Sequence, residues 1–176
     1  MRDIKKGFSL IEVLIAISIF AVISVVSLDL YLASVKSSNK VRIINKINQN
    51  GQQIMGIIDS LIRNSITASF LGNSGLSLSD SDGNNWIINC VSSTVANGKI
   101  EIQDVYNSAV YPISDTNPVS GVDVSSCSFT QPTLTDPSKP TVVGINFVLQ
   151  QGKNAQSRQD FQANVTFDRI VSLRSF

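Results

Sequence analysis

Hydrophobic and polar positions follow three different rhythms along this chain. The first is an apolar run of 21 residues from Phe8 to Leu28, with Glu12 its single charge and Ser9, Ser18, Ser24 and Ser27 its polar interruptions. As a helix rising about 1.5 Å per residue, it spans roughly 30 Å, the thickness of a bilayer's hydrocarbon core. The second rhythm lies between Ser34 and about Ser69, a stretch without proline. There Ile44, Ile47, Gly51, Ile54, Ile58 and Leu61 recur at steps of three and four, and Ile57 and Ile62 widen the stripe. Asn45, Gln49, Asn50, Gln52, Gln53 and Asp59 take the other side. This spacing predicts an amphipathic helix packed on its own domain. Joined to the apolar run, it makes one helix from Phe8 to about Ile66, roughly 90 Å long. So small a domain cannot cover it, so the N-terminal half must be buried in lipid or against other chains.

The third rhythm begins after Phe70. Leu71-Gly72-Asn73-Ser74-Gly75 reads as helix exit and loop. Strands are predicted at Trp86–Val91 and at Lys99–Tyr106, the latter with Ile100, Ile102 and Val105 facing inward. Val122–Val124 and Cys127–Phe129 are weaker signals. Val142–Leu149 and Phe161–Phe167 read as an antiparallel pair joined by the polar loop 150–159, and Ile170–Arg174 as a short final strand. Proline gathers between Pro112 and Pro140, including Pro118, Pro132 and Pro137, which predicts an irregular, exposed excursion. A helix followed by a meander of strands is an α+β domain.

Composition narrows the function classes. Lys plus Arg number 14 and Asp plus Glu 13, so the net charge of +1 disfavours binding nucleic acid by bulk electrostatics. The chain has no histidine, which removes the commonest general base and metal ligand. Two cysteines are too few for a Cys-only zinc site. Charged residues are 15% of the chain, against about 25% in a typical soluble domain. That deficit is concentrated in the apolar run.

Three readings compete for that run. It is longer than the apolar core of a secretory signal, and Leu32 and Ser34 do not form a clean small-x-small cleavage site. A plain membrane anchor fits the length. Glu12 argues for a third reading, because an acid one turn inside an apolar helix costs about 3 kcal/mol or less near the helix end, and an anchor has no use for it. The residues Lys5-Lys6-Gly7-Phe8-Ser9-Leu10-Ile11-Glu12-Val13-Leu14-Ile15-Ala16 resemble the class III signal of type IV pilins and type II secretion pseudopilins. That signal has a short basic leader ending in Gly, an aromatic first mature residue and Glu at the fifth mature position.

The resemblance implies a pilin-like α+β fold, a long N-terminal helix whose C-terminal half packs on an antiparallel sheet. It implies a cleaved leader (1–7), a transmembrane and filament-core half-helix (8–33), an amphipathic half-helix (34–69) and a β-rich domain (70–176). Prepilin peptidase is expected to cut between Gly7 and Phe8, then to methylate the new Phe8 amine. Glu12 is expected to pair with the Phe8 amine of a neighbouring subunit, which neutralises in the polymer a charge that is costly in one chain. The implied partners are other pilin or pseudopilin subunits, the inner-membrane assembly platform and, before assembly, membrane lipid. The implied location is the bacterial inner membrane, single-pass with the N-terminus cytoplasmic, and then an outer filament. Arg2, Lys5 and Lys6 precede the helix and Lys36, Lys40, Arg42 and Lys46 follow it, so positive charge does not decide orientation. Pilins often carry a helix-loosening Gly or Pro in this segment; here none lies between Phe8 and Asn50. The ending, a late hairpin and then Val171-Ser172-Leu173-Arg174, also resembles J-type minor pseudopilins and related minor pilins, and points toward a minor subunit.

Cys90 and Cys127 allow one pairing. In a domain outside the membrane a disulfide is the natural reading, worth roughly 3–4 kcal/mol in the chain-entropy model; two buried thiols are the alternative. Asp80-Ser81-Asp82-Gly83-Asn84-Asn85 offers oxygens that would suit calcium, but the twelve-residue loop pattern is absent. It reads as a hairpin turn, and no metal or cofactor is expected. No G-x-S-x-G and no phosphate-binding glycine loop occurs. Asp104, Asp115, Asp123, Asp136, Asp160 and Asp168 are scattered, so catalysis is not expected. Two other functions remain open: a tip-located module binding DNA, a surface or a secreted substrate, and an anchored domain that never polymerises.

Overall fold

The computed structural model describes residues 9–132, 141–155 and 162–174. The chain forms two units, residues 1–39 and 40–176. Helix α1 (Leu10–Asn64) runs through both. In the first unit its large apolar side chains, from Leu10 through Ile23 and Leu30 to Val35, are all exposed. Ser18, Ser24 and Ser27 donate their hydroxyls to the carbonyls of Leu14, Phe20 and Ile23, four residues back. Each serine thereby satisfies its polar group within its own helix and leaves the surface apolar.

In the second unit α1 presents Ile47, Gly51, Ile54, Met55, Ile58 and Ile62 to the core. The stripe is the one expected, with Met55 added and with Ile44 half-buried. Arg63 and Asp59 form an i, i+4 pair at 2.9 Å, with the cation in the last turn, where the helix dipole favours it. The helix ends at Asn64, and residues 65–71 are a strand. The Ser65 hydroxyl donates to the Leu61 carbonyl, and the Ser65 backbone already belongs to the sheet. The β-branched pair Ile66-Thr67 then favours an extended chain.

Eight strands follow. β1 (Ser65–Leu71), β2 (Gly75–Asp80), β3 (Asn85–Val91), β4 (Lys99–Asp104) and β5 (Ala109–Pro112) form an antiparallel meander in chain order. β6 (Val122–Thr130), β7 (Val142–Gln151) and β8 (Asn164–Ser172) form a second antiparallel sheet. The α+β class holds, with two sheets where one was expected. β1, β2 and β5 have no counterpart among the predicted strands. The two weak signals around Val122 and Cys127 are one strand with a bulge between Val124 and Ser126. Ile170–Ser172 continues β8 and is not a separate strand. The proline-rich stretch is not an excursion throughout, because β6 crosses it with Val122, Val124 and Phe129 buried. Pro137 lies outside the described residues. Ile100 and Ile102 face inward, but Val105 is exposed. It follows the strand into a turn whose Tyr106 and Asn107 N–H groups donate to Asp104 Oδ1.

One core joins these parts. Ile54, Ile58 and Ile62 of α1 share it with Leu76, Leu78, Ile88 and Ile100 of the first sheet and with Ile145, Phe147, Leu149 and Phe167 of the second. Phe167 stacks on Phe147 with ring centroids 5.1 Å apart. The Phe167 ring also lies directly over Gly51, where any Cβ would overlap it. Gly56, on the outer side of the helix, has open space around it. Two glycine substitutions in one helix should therefore act in opposite directions. Gly51→Ala is expected to destabilise by about 1–3 kcal/mol through overpacking. Gly56→Ala is expected to stabilise by about 0.5–1 kcal/mol through helix propensity. Denaturant unfolding of the full chain in detergent checks both.

Candidate functional site

The N-terminal end of α1 is built around Ser9 and Glu12. Ser9 precedes the first helical residue, and its backbone N–H donates to Glu12 Oε2 at 2.9 Å. This is the reach-back half of a capping box, in which an acid at the third helical position satisfies an otherwise orphaned donor. Glu12 also lies in the first turn, where the helix dipole favours a negative charge. The carboxylate is thus held at the head of its own helix. The signal, Ser-x-x-Glu before an apolar run, stands in the sequence at Ser9–Glu12, and reading Glu12 only as an assembly contact misses it. Gly7 and Phe8, the expected cleavage and methylation positions, lie outside the described residues.

Cys90 on β3 and Cys127 on β6 form a disulfide, with Cα atoms 5.8 Å apart. The bridge joins the two sheets. Backbone hydrogen bonds flank it: Cys90 N–H donates to Ser74 O and Phe129 N–H to Asn73 O, each at 2.8 Å. The β1–β2 turn therefore seats against both cysteine strands.

Residues 80–85 form a hairpin turn. Asp80 Oδ1 accepts from the N–H groups of Asp82 and Asn84 at 2.9 Å, and its Oδ2 accepts from Asn84 Nδ2 at 2.9 Å. Gly83 takes a positive φ of 86°, which a side chain would resist. The Asn84 side chain first, and then these backbone donors, hold the Asp80 carboxyl below the usual aspartate value. Its oxygens are spent on the turn itself.

A polar cluster that sequence reasoning missed lies where three loops meet. Asp123, 1% exposed, accepts from Gly98 N–H at 2.6 Å and from Gln150 Nε2 at 2.7 Å. Lys153 Nζ lies 3.8 Å from it. Asn97 donates to Asn117 O and accepts from Lys153 N–H, both at 2.9 Å. The cluster satisfies buried backbone groups and serves the fold. Nearby, an apolar cleft of about 330 Å³ lies between Ile43 and Ile47 of α1 and Val119 and Val122. Among the basic residues of the β-rich domain, Lys99 pairs with Glu101, and Lys153 is held by Asp123 and by the Ser93 carbonyl. Lys139 and Arg158 lie outside the described residues.

Residues 2–28 match the family model described as the prokaryotic N-terminal methylation motif. No curated protein and no solved structure matches the chain. The match covers the leader, the Gly7–Phe8 junction, Glu12 and the apolar run up to Leu28. The chain thus carries a class III prepilin signal, consistent with the type IV pilin and pseudopilin family. Such a motif implies processing by prepilin peptidase and polymerisation with pilin subunits. The exposed apolar half of α1 fits a membrane-anchored chain of this kind.

Two outcomes are expected from the residues outside the helix. Cys90→Ser with Cys127→Ser should cost about 2–5 kcal/mol of stability, read by denaturant unfolding against the oxidised chain. Asn84→Ala should raise the Asp80 pKa toward the ordinary value, followed by NMR titration. Because the folded value is depressed, Asp80 contributes its stabilisation above the unfolded aspartate pKa, and that contribution fades as pH falls through the folded value.

Proposed function

We propose that this chain is a prepilin, a structural subunit of a type IV pilus or type II secretion pseudopilus with no catalytic role. It is inserted in the bacterial inner membrane with its N-terminus in the cytoplasm and residues after about Leu32 outside. Prepilin peptidase removes residues 1–7 and methylates the Phe8 amine. An inner-membrane assembly platform then extracts the subunit into a filament, where the apolar half of α1 exchanges lipid for neighbouring helices. The observation that carries this reading is the methylation motif over residues 2–28 on a helix whose apolar half, among the described residues, keeps its large side chains exposed. The ending compared with J-type minor pseudopilins is one strand, β8, without a separate final strand. It therefore lends no support to a minor over a main subunit.

The cap at Ser9 gives Glu12 two jobs. In the lone subunit its carboxylate closes the helix end. In the filament it also meets the cationic Phe8 amine of a neighbour. Glu12→Gln separates the two, because glutamine retains the capping acceptor but carries no charge.

The first test is the intact mass and N-terminal sequence of the membrane form, with and without active prepilin peptidase. A methylated chain beginning at Phe8 is expected. A chain still beginning at Met1 beside an active peptidase would reduce the protein to an anchored domain. The second test is incorporation into sheared filaments. Glu12→Ala and Glu12→Gln should both be lost from the filament while remaining in the membrane. Incorporation of Glu12→Gln at the level of the unaltered chain would assign Glu12 to capping alone.

A further inference from the structure

A second acid stands in the apolar half of α1. Asp29 lies between Leu28 and Leu30, exposed, with Val25, Val26, Leu32 and Ala33 three and four residues away. Those positions are its side-chain neighbours on a helix, and none carries a positive charge. Among the described residues the Asp29 side chain takes part in no ion pair or hydrogen bond. An acid without a partner is disfavoured in the lipid-facing part of a helix. The cap that engages Glu12 does not reach it, because Asp29 is about 25 Å further along the helix.

The first cation after it is Lys36, also exposed and without an ion pair among the described residues. Seven residues are almost two full turns, so Lys36 projects from the same face as Asp29, about 10 Å away along the axis. That gap is too long for a bond within one helix. It suits a bond between two parallel copies displaced along their axes. Side chains lean toward the helix N-terminus, and lysine is the longer of the two. The charges therefore meet when the copies are staggered by roughly 7–10 Å.

We propose that Asp29 of one copy pairs with Lys36 of the copy one step behind it, and that this pair sets the stagger of a second subunit contact. The partner is a second copy of this chain, chosen by charge complementarity along a face that is otherwise apolar and uncovered. The inference rests on the filament reading above and goes beyond it. Glu12 lies about 100° around the helix from Asp29, so the two acids address different sides. A contact that joins unlike positions on identical chains and displaces each copy along the axis does not close into a ring. It propagates as an open helical array.

The test follows filament incorporation in the native host, with membrane levels measured in parallel. Asp29→Lys alone and Lys36→Asp alone should each lower incorporation at least about tenfold, and the double exchange should restore most of it. Asp29→Asn, which removes charge without reversing it, should show an intermediate loss. In a second arm, two tagged copies are co-expressed, one carrying Asp29→Cys and the other Lys36→Cys. A cross-linked dimer is expected in filaments from the mixture and not from either copy alone. Undiminished incorporation of the single variants, or cross-linking of Asp29→Cys to Lys40→Cys in place of Lys36→Cys, would overturn the pair. If the unaltered chain is processed but never enters sheared filaments, the filament reading itself fails and the pair falls with it.

Discussion

Everything in this structure depends on a helix whose apolar half, among the described residues, stays exposed. The residues from Leu10 to Val35 keep their large side chains exposed, while the same helix, from Ile47 to Ile62, is buried in a core shared with two sheets. One element thus has two solvents. Its upper half behaves as a core helix of a small α+β domain, and its lower half requires lipid or other helices. Ser18, Ser24 and Ser27 keep that requirement strict. Each turns its hydroxyl back onto its own backbone and offers little polar surface to water.

Charge is rationed accordingly. Within the apolar half, Glu12 and Asp29 are the acids. Glu12 is tied to the Ser9 N–H and sits at the favourable end of the helix dipole. Asp29 has neither advantage. A membrane anchor under no other demand gains from replacing Asp29 by leucine. Its presence is understandable if the environment of this helix changes from lipid, where the charge is a burden, to a packed array that supplies a counter-charge. The β-rich domain follows the opposite logic. Its buried acid, Asp123, is surrounded by the donors of Gly98, Gln150 and Lys153 and helps close the fold.

Much of this was legible in the sequence. The apolar run, the Gly7–Phe8–Glu12 signal and the isoleucine stripe are written in residue type and spacing, which survive any detail of packing. The strands at Trp86, Lys99 and Val142 were visible because β-branched and aromatic residues are dense there, and at Lys99 because Ile100 and Ile102 alternate with polar residues. β1 was not visible, because Ser65–Ser69 continues an apolar period of either kind. β2, with serines at alternate positions, carries too little hydrophobic signal to stand out. Asn97, Asp123 and Lys153 are distant in sequence and meet only after three loops have folded. Gly51 lay in the predicted stripe, but nothing in its neighbours says that an aromatic ring from residue 167 needs its missing side chain.

The disulfide has a mechanical side. Load applied to the lower part of α1 enters the β-rich domain through a helix followed directly by β1, at the edge of the five-stranded sheet. The three-stranded sheet lies outside that covalent route up to Cys90 and is otherwise held by side-chain packing and by single hydrogen bonds such as Phe129 N–H to Asn73 O, which yield to peeling one contact at a time. A covalent link between β3 and β6 gives the force a second path that does not peel. Tension drawn through the helix is then shared by both sheets, and the domain responds to pulling as one body.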